Sequence, residues 1–230
     1  MSDSASPTTA VVFAGGDPPT DRLLAAQWRV VPPGALVVAA DSGLHAAQRL
    51  GLAVDVVVGD LDSVDPAALD AARAADTRVV VHPVDKDATD LELALHVARD
   101  AGARRVVVIT GDGGRHDHLL ANALVLTAPA FADLTVAAVV GTAVCSVVRG
   151  PRTLTGAVGS LCTLLPIGGP ARGVTTTGLR FALADEDLHP GSTRGVSNVL
   201  VAPEATVDLR AGVLLAVQPH AVSATDHQEA

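Results

Sequence analysis

The first 140 residues alternate between short apolar runs and longer segments that mix Ala and Leu with charged residues. The runs are continuously apolar and rich in Val, which is typical of strands buried on both faces of a parallel sheet. They predict six strands, at Ala10–Phe13, Ala35–Ala40, Val54–Val58, Arg78–Val81, Arg105–Ile109 and Leu134–Val140. The intervening segments predict five helices, at Asp21–Trp28, Leu44–Leu50, Pro66–Ala75, Thr89–Ala101 and His116–Leu126. Strands and helices in this alternation indicate an α/β domain with an open, mostly parallel sheet.

The pattern changes after Gly141, where short β-type runs follow one another and are closely punctuated by Gly and Pro. They predict strands at Val144–Val148, Ser160–Leu165, Gly173–Thr177, Val199–Val201, Thr206–Leu209 and Val213–Gln218. Such spacing favours a small all-β sandwich. We therefore expect an α/β domain over residues 10–140 and a β-sandwich domain over 141–220. A disordered N-terminus is expected over 1–9 and a flexible polar tail over 221–230.

The composition and charge of the chain argue against several classes of protein. The 230 residues include 16 basic and 25 acidic side chains, a net charge of −9, which disfavours nucleic acid and anionic membrane as partners. No apolar run approaches the roughly 18 residues of a membrane span, and the first residues lack the pattern of a secretory signal. Cys145 and Cys162 are expected to be buried thiols. These observations predict a cytoplasmic enzyme or binding protein.

Aromatic side chains are scarce, so the core must consist of Val, Leu and Ala. The chain has one Trp, three Phe and no Tyr. Few side chains are therefore available to stack on a ligand ring, and scarcity alone makes Trp28 and Phe181 candidates for that role.

Polar residues gather where four consecutive predicted strands end, at Asp41–Gly43, Gly59–Ser63, Asp85–Asp90 and Gly111–His118. Ligands of open α/β sheets bind beyond this edge. Asp60 and Asp62 point the same way on an extended segment, and two nearby carboxylates favour a shared cation. Oxygen ligands of this kind suit Mg²⁺ with substrate phosphates. The alternative is a turn in which Asp is only a local cap.

Lys86 is the only Lys of the chain, whereas the other basic residues are all Arg. A compact ammonium at this one place suits contact with a phosphate oxygen. Thr89 and Asp90 follow at the start of a predicted helix. They either cap that helix or, in the functional interpretation, place Asp90 beside the metal of Asp60 and Asp62.

The segment Gly111–Arg115 is glycine-rich and leads into a helix, so its amides can cradle an anion that Arg115 also grips. Many strand-to-helix loops share this composition without binding anything. His116 and His118 lack further ligands at suitable spacing for a transition metal. Neither the dinucleotide-binding glycine motif nor a P-loop motif occurs.

The motifs taken together resemble the thiamine pyrophosphokinase family, and the resemblance extends over about residues 10–218. The matching segments are Ala40–Gly43, Gly59–Ser63, Asp85–Leu91, Gly114–His118 with Asn122, Thr177–Leu183 and Gly195–Asn198. The resemblance implies an α/β nucleotide-binding domain, a thiamine-binding β-sandwich that takes part in dimerisation, and a homodimer with active sites between subunits. It also implies Mg²⁺-dependent transfer of diphosphate from ATP to the thiamine hydroxyl, which leaves AMP.

The same resemblance assigns roles by position. The metal ligands would be Asp60, Asp62 and Asp90, which with Lys86 and Arg115 form the catalytic group. Nucleotide and phosphates would be contacted by Arg115 together with Asp41, Ser42, Ser63, Thr89, Gly114, Asp117 and Asn122. Thiamine would meet Ser197, Asn198 and Phe181, where the family often has Trp. Asp41, Asp87 and Asp90 all remain candidates for the general base.

Three other functions fit part of the sequence. A haloacid-dehalogenase-like phosphatase would use Asp60 as its nucleophile, but that family begins with its Asp-x-Asp strand, whereas two strand-helix units precede Asp60 here. A pyrophosphokinase acting on a pterin alcohol would share the scaffold. A non-catalytic nucleotide-sensing domain would be expected to lack one of the clustered Asp residues.

Overall fold

The computed structural model describes residues 9–17 and 19–223. The two ends expected to be disordered lie outside this range, apart from Thr9, which begins a strand, and residues 221–223. The described chain divides into two compact units. The α/β unit contains the residues up to Val125 and Asp133–Gly141, and the β unit contains Leu126–Ala132 and Thr142–Ser223.

The α/β unit contains a parallel sheet. Its strands are β1 (Thr9–Phe13), β2 (Leu36–Ala40), β3 (Val56–Gly59), β4 (Arg78–Val81), β5 (Arg105–Thr110) and β6 (Thr135–Val140). They are ordered β6-β5-β1-β2-β3-β4, with every neighbour parallel. The chain runs outward from β1 on one side and returns at β5 on the other. The crevice beyond the carboxyl ends of these two strands is therefore the expected place for a ligand.

Five helices accompany this sheet: α1 (Asp21–Trp28), α2 (Gly43–Arg49), α3 (Pro66–Ala74), α4 (Asp90–Asp100) and α5 (His116–Leu126). Side-chain caps explain several helix starts. The Thr89 hydroxyl accepts a hydrogen bond from the Glu92 amide at 3.2 Å, and the Asp65 carboxylate accepts one from the Ala67 amide at 2.8 Å. Pro66 occupies the first turn of α3, where its missing N–H costs nothing. All five predicted helices are present, with bounds that differ by at most one residue.

The strands of the β unit are β7 (Ala143–Val148), β8 (Arg152–Thr155), β9 (Leu161–Pro166), β10 (Ala171–Thr177), β11 (Glu186–Leu188), β12 (Asn198–Val199), β13 (Glu204–Asp208) and β14 (Leu214–Gln218). They pair in antiparallel fashion in the orders β12-β9-β14-β7 and β11-β10-β13-β8. Their inward side chains form one core, in which Leu154, Leu164 and Leu200 are almost completely buried. The predicted fold class is confirmed.

Two strands of the β unit were not predicted from the sequence. Strand β8 has only four residues, two of them Thr, and β11 contains Glu186 and Asp187 among its three residues. Short polar strands carry little hydrophobic signal, so pairing with a neighbouring strand is what makes them strands. The strand predicted at Val199–Val201 lies earlier, at Asn198–Val199.

The aromatic residues have different environments. The Trp28 ring stacks on Phe13, with ring centroids 6.0 Å apart and planes at 24°, and Phe13 is fully buried. Trp28 therefore packs against the core, and it is not among the residues that line the cavity described below. Phe181 is 53% exposed. No described helix has both the length and the apolar character to cross a membrane.

Candidate active site

A cavity of about 570 Å³ lies at the carboxyl edge of the parallel sheet. Its walls come from the loops after all of the strands β1 to β5 and from helices α4 and α5. Eleven residues with a predicted role line it: Asp41, Ser42, Asp60, Asp62, Ser63, Lys86, Thr89, Asp90, Gly114, Arg115 and Asn122. The fold thus gathers at one place side chains that are more than 80 positions apart in sequence.

Three carboxylates converge in this cavity. Asp41, Asp60 and Asp62 each present an oxygen, and these oxygens lie within 4.8 Å of one another. The backbone turns sharply to achieve this, since Asp41 has a φ of +47° and Leu61 a φ of +64°. Both values lie in the left-handed region, which is uncommon for residues other than Gly and clusters at functional sites. The carboxylate group therefore depends on two strained turns, one after β2 and one after β3.

Lys86 lies between two of the acidic side chains. Its Nζ donates to Asp60 Oδ2 at 2.6 Å and forms an ion pair with Asp90 Oδ1 at 3.1 Å. The hydrogen bond from Lys86 lowers the pKa of Asp60 despite desolvation. Desolvation tends to lower the pKa of Lys86, but the bonds with Asp60 and Asp90 outweigh it and raise that pKa. Asp60 and Lys86 are therefore both charged at neutral pH.

Asp41 has a different environment. Burial is the largest effect that raises its pKa, and the negative charges of Asp90, Asp60 and Asp62 raise it further, while a hydrogen bond from the Ser42 amide opposes them. Its Oδ1 atom is buried and accepts no hydrogen bond within the described part of the chain. A buried, unpartnered carboxylate oxygen is costly unless something binds it.

Two glycine-rich loops meet on the other side of the cavity. Thr110 Oγ1, at the end of β5, donates to the Gly15 carbonyl at 2.7 Å. A Cβ at Gly111 would collide with the Asp17 carbonyl, and one at Gly113 would lie 2.8 Å from the Asp17 Cβ. Glycine is therefore required for this close approach.

Gly15, Gly16 and Asp17 line the cavity but were not among the predicted site residues. The signal was present, because they directly follow β1, just as the predicted clusters follow β2 to β5. Gly111, Gly113, Gly114 and Arg115, the residues of the predicted anion cradle, line the cavity next to them.

Arg115 forms a bidentate pair with Asp117. Its Nε and terminal nitrogen donate to the two Asp117 oxygens at 3.1 and 2.6 Å, and both side chains are well exposed. The hydrogen bond from Arg115 lowers the pKa of Asp117 to about 2. Asp117 is not among the described residues that line the cavity, so its observed contact is with Arg115.

The serine, threonine and amide side chains occupy supporting positions. Ser63 Oγ donates to Asp62 Oδ1 at 2.9 Å and so orients that carboxylate. Thr89 both caps α4 and lines the cavity. Ser42 and Asn122 line the cavity from the start of α2 and from α5.

The remaining predicted residues lie in the β unit. Asn198 is 3% exposed, and its side-chain amide bonds to the backbone of Phe181. Ser197 is exposed, has a φ of +57° and donates its amide to Thr163 Oγ1 at 3.1 Å. The fold brings Ser197, Asn198 and Phe181 together although 16 positions separate Phe181 from Ser197.

Comparison with known proteins identifies the family. A family model described as "Thiamin pyrophosphokinase, catalytic domain" matches residues 29–138, and one described as "Thiamin pyrophosphokinase, vitamin B1 binding domain" matches 152–214. Thiamine pyrophosphokinase 1 of Oryza sativa subsp. japonica is 28% identical over 165 residues, which are 66% of this chain and 61% of the relative. Thiamine pyrophosphokinase 2 of Arabidopsis thaliana is 28% identical over 189 residues, 76% of this chain and 69% of the relative. The chain thus spans less than two thirds of the rice relative.

Solved structures support the fold. Thiamine pyrophosphokinase from Bacillus subtilis superposes with a TM-score of 0.79 at 21% identity, covering 92% of this chain and 99% of that one. Thiamin pyrophosphokinase from Geobacillus thermodenitrificans gives 0.76 at 25% identity, covering 96% and 99%. The two family models together extend over most of the chain, and we conclude that it belongs to the thiamine pyrophosphokinase family.

Proposed function

We propose that this chain transfers the diphosphate of ATP to the hydroxyl of thiamine, giving thiamine diphosphate and AMP. The observation that carries the proposal is the cluster of Asp41, Asp60 and Asp62 beside Lys86 in a cavity lined by glycine-rich loops. Carboxylates, a lysine and backbone amides at the carboxyl edge of a parallel sheet suit a polyphosphate with its metal. Family membership supports the same substrates.

The donor set fits Mg²⁺. The group contains only carboxylate oxygens, and the buried Oδ1 of Asp41 has no hydrogen-bond partner in the described chain. We propose that Asp60 and Asp62 hold the ion together with Asp41 or Asp90. Asp41 belongs to the geometric cluster, whereas Asp90, which the resemblance favoured, is ion-paired with Lys86. When bound, Mg²⁺ would neutralise polyphosphate charge and polarise the transferred phosphorus.

Lys86 and the glycine-rich loop would bind the phosphates. A lysine ammonium has three donors, of which one bonds to Asp60 while Asp90 is an ion-pair partner at 3.1 Å, so at least one donor remains to reach a phosphate oxygen. The amides around Gly113 and Gly114 would contact a second oxygen. Arg115 would exchange Asp117 for phosphate, since its exposed planar fork suits either anion. Positioning and charge neutralisation are what such a transfer requires of the protein.

A carboxylate would accept the proton of the thiamine hydroxyl as the new P–O bond forms. Asp41 and Asp90 line the cavity, whereas Asp87 is not among its described lining residues. The geometry therefore favours Asp41 or Asp90 over Asp87. Thiamine is a cation, so the acidic cavity would also favour its approach.

We propose that Phe181 and Ser197 contact thiamine. The exposed Phe181 ring presents a face for a heterocycle.

We also propose that two chains form a homodimer in the cytoplasm. Helix α5 supports dimerisation, because Leu120 and Leu124 are 68% and 57% exposed and only Leu126 of that helix is buried among its described residues. Exposed leucines side by side are typical of a surface that another chain covers.

The test is an assay of purified protein with ATP, Mg²⁺ and thiamine in which AMP and thiamine diphosphate are quantified. We expect the two products in equal amounts and neither product without thiamine or with EDTA. A pterin alcohol in place of thiamine tests the other pyrophosphokinase, and phosphate esters without ATP test the phosphatase. Formation of ADP, or AMP formation that is independent of thiamine, would contradict the proposal.

A further inference from the structure

The side chain of Asn198 completes the backbone pairing of a neighbouring segment. Oδ1 accepts hydrogen bonds from the amides of Phe181 and Val199, each at 2.9 Å, and Nδ2 donates to the Phe181 carbonyl at 2.8 Å. The other amide orientation would set Nδ2 against two N–H donors, so the bonding pattern selects this one. The Asn198 side chain thus supplies Phe181 with the donor and the acceptor that a paired strand residue would supply.

These bonds extend a short antiparallel pairing. The Arg180 amide donates to the Val199 carbonyl at 2.9 Å, the Val201 amide donates to the Gly178 carbonyl at 2.9 Å, and Leu179 pairs with Leu200. Backbone groups pair at these positions, whereas at Phe181 the Asn198 side chain makes the hydrogen bonds in place of a backbone partner. Asn198 is itself held in β12, where it pairs with Cys162 of β9. A segment anchored in the sheet therefore fixes the backbone of an exposed one.

The segment that Asn198 holds in place, residues 179–183, presents the Phe181 ring to solvent. Leu179 and Leu183 on either side of Phe181 are 4% and 2% exposed, whereas Phe181 is 53% exposed. The Leu183 amide donates to Thr176 Oγ1 at 2.9 Å, which secures the far end. An exposed aromatic ring with a fixed backbone loses little freedom when it meets a flat ligand, and such preorganisation increases affinity.

We propose that Asn198 is a positioning residue for Phe181 and acts on thiamine through that ring rather than by contact. The inference rests on the proposed function for the identity of the ligand. Asn198 is only 3% exposed and three bonds occupy its amide, so little of it is available to a ligand. Direct contact is left to Phe181 and to Ser197, both of which are exposed.

A double-mutant cycle tests this assignment. Asn198→Ala and Phe181→Ala should each raise the KM for thiamine about tenfold, because either change takes the Phe181 ring out of the position in which it meets thiamine. The double variant should show nearly the same increase as either single one, because the ring position no longer matters once the ring is absent. The KM for ATP should stay within about twofold throughout. If the two increases multiply, Asn198 contacts thiamine directly and the proposal is wrong.

Gln218→Ala is the matched control. Gln218 is 5% exposed and its Nε2 donates to the Thr155 carbonyl at 3.0 Å, so this variant also loses a buried amide-to-backbone bond in the β unit. It should lose stability while the KM for thiamine stays unchanged. An equal rise in that KM for Gln218→Ala would show that the effect of Asn198→Ala is general loosening, which would overturn the proposal.

Amide hydrogen exchange provides a readout that does not require catalysis. In Asn198→Ala the Phe181 amide should exchange faster, whereas the Arg180 amide, bonded to the Val199 carbonyl, should keep its protection. Unchanged exchange at Phe181 would overturn the positioning role. If the wild-type chain makes no thiamine diphosphate, the proposed function fails, and exchange at Phe181 still decides whether Asn198 holds this segment.

Discussion

At the scale of single residues, the site contains both compensated and uncompensated acidic side chains. Lys86 compensates the charges of Asp60 and Asp90, while Asp41 is half-buried near three other carboxylates and has a raised pKa. The protein therefore retains a carboxylate whose ionised form is unfavourable in the folded chain. Such a cost is expected where a cation or a reaction uses the group.

Asp41→Asn should stabilise the protein and reduce its activity. Asn tolerates the φ of +47° at this position and removes the repulsion from Asp60, Asp62 and Asp90. Without metal at pH 7.5 we expect Tm, measured by calorimetry, to rise by about 2 °C or more. Because the pKa of Asp41 is raised in the folded state, ionisation of this carboxyl destabilises the folded wild type as pH rises above the ordinary value of 3.8. The difference in Tm between Asp41→Asn and the wild type should therefore vanish below that pH.

The control is Asp76→Asn, which makes the same chemical change at an exposed residue with a φ of +61°. It should leave Tm and activity nearly unchanged. Added Mg²⁺ should stabilise the wild type more than Asp41→Asn, since a ligand that binds only the folded state raises Tm. A lower Tm for Asp41→Asn at pH 7.5 would contradict this account of Asp41.

Lys86→Arg should impair the reaction although the charge is kept. The Lys86 side chain is 13% exposed and its Nζ lies 2.6 Å from Asp60, so a larger planar guanidinium has to displace one partner. We expect kcat to fall about tenfold or more, measured by AMP formation, with the fold intact by circular dichroism. The reciprocal surface change Arg73→Lys, in the exposed pair with Asp70, should have no effect. Full activity of Lys86→Arg would mean that the single Lys of the chain has no special role.

At the scale of elements, the site depends on loops that follow parallel strands. The loops after β1 and β5 pack so closely that glycine is needed, while the turns after β2 and β3 place Asp41 and Asp60 through left-handed backbone at Asp41 and Leu61. Loop geometry of this kind is set by contacts between elements, and small changes in it should affect nucleotide binding before they affect stability.

Gly113→Ala tests the contact between the two glycine-rich loops. The new Cβ would lie 2.8 Å from the Asp17 Cβ, so one loop has to move. We expect the KM for ATP to rise about tenfold and the KM for thiamine to change little. Adding Asp17→Gly should relieve the collision and lower the KM for ATP again. Gly150→Ala, where a Cβ meets no atom within 4 Å, serves as the control.

At the scale of the whole molecule, the proposed homodimer would share its active sites between subunits. The cavity with the carboxylates is in the α/β unit, whereas Phe181 and Ser197 are in the β unit. A symmetric dimer in which each site draws on both chains would combine these two groups. This arrangement can be distinguished from a site within one chain by mixing inactive variants.

We expect Lys86→Ala and Phe181→Ala chains, each nearly inactive at low thiamine, to restore activity when unfolded together and refolded as a mixture. About a quarter of wild-type activity should return, because half of random dimers are mixed and one of their two sites has no substitution. A mixture of Lys86→Ala and Asp62→Asn, both in the α/β unit, should remain inactive. Failure of the first mixture to recover, with a dimer seen by sedimentation equilibrium, would place each site within one chain.

The sequence by itself determined most of the elements and the edge of the sheet at which the candidate site lies. A continuous Val-rich run indicates a buried strand, and capping residues indicate where a helix begins and ends. Both signals lie within the segment itself, so the six parallel strands and five helices were predicted to within about two residues. The same argument located Asp60, Asp62, Lys86 and Asp90 at the carboxyl edge. It missed β8 and β11, because short polar strands owe their existence to their neighbours.

Only the tertiary structure decided which side chains meet. The close approach of Asp41 to Asp60 and Asp62, and the pairing of Lys86 with Asp60, depend on strand register and on left-handed turns at Asp41 and Leu61. The bonds from the Asn198 side chain to Phe181 likewise join segments that are distant along the chain. Hydrophobic pattern records whether a position is buried, whereas the identity of its partner is set by three-dimensional packing between residues far apart in sequence.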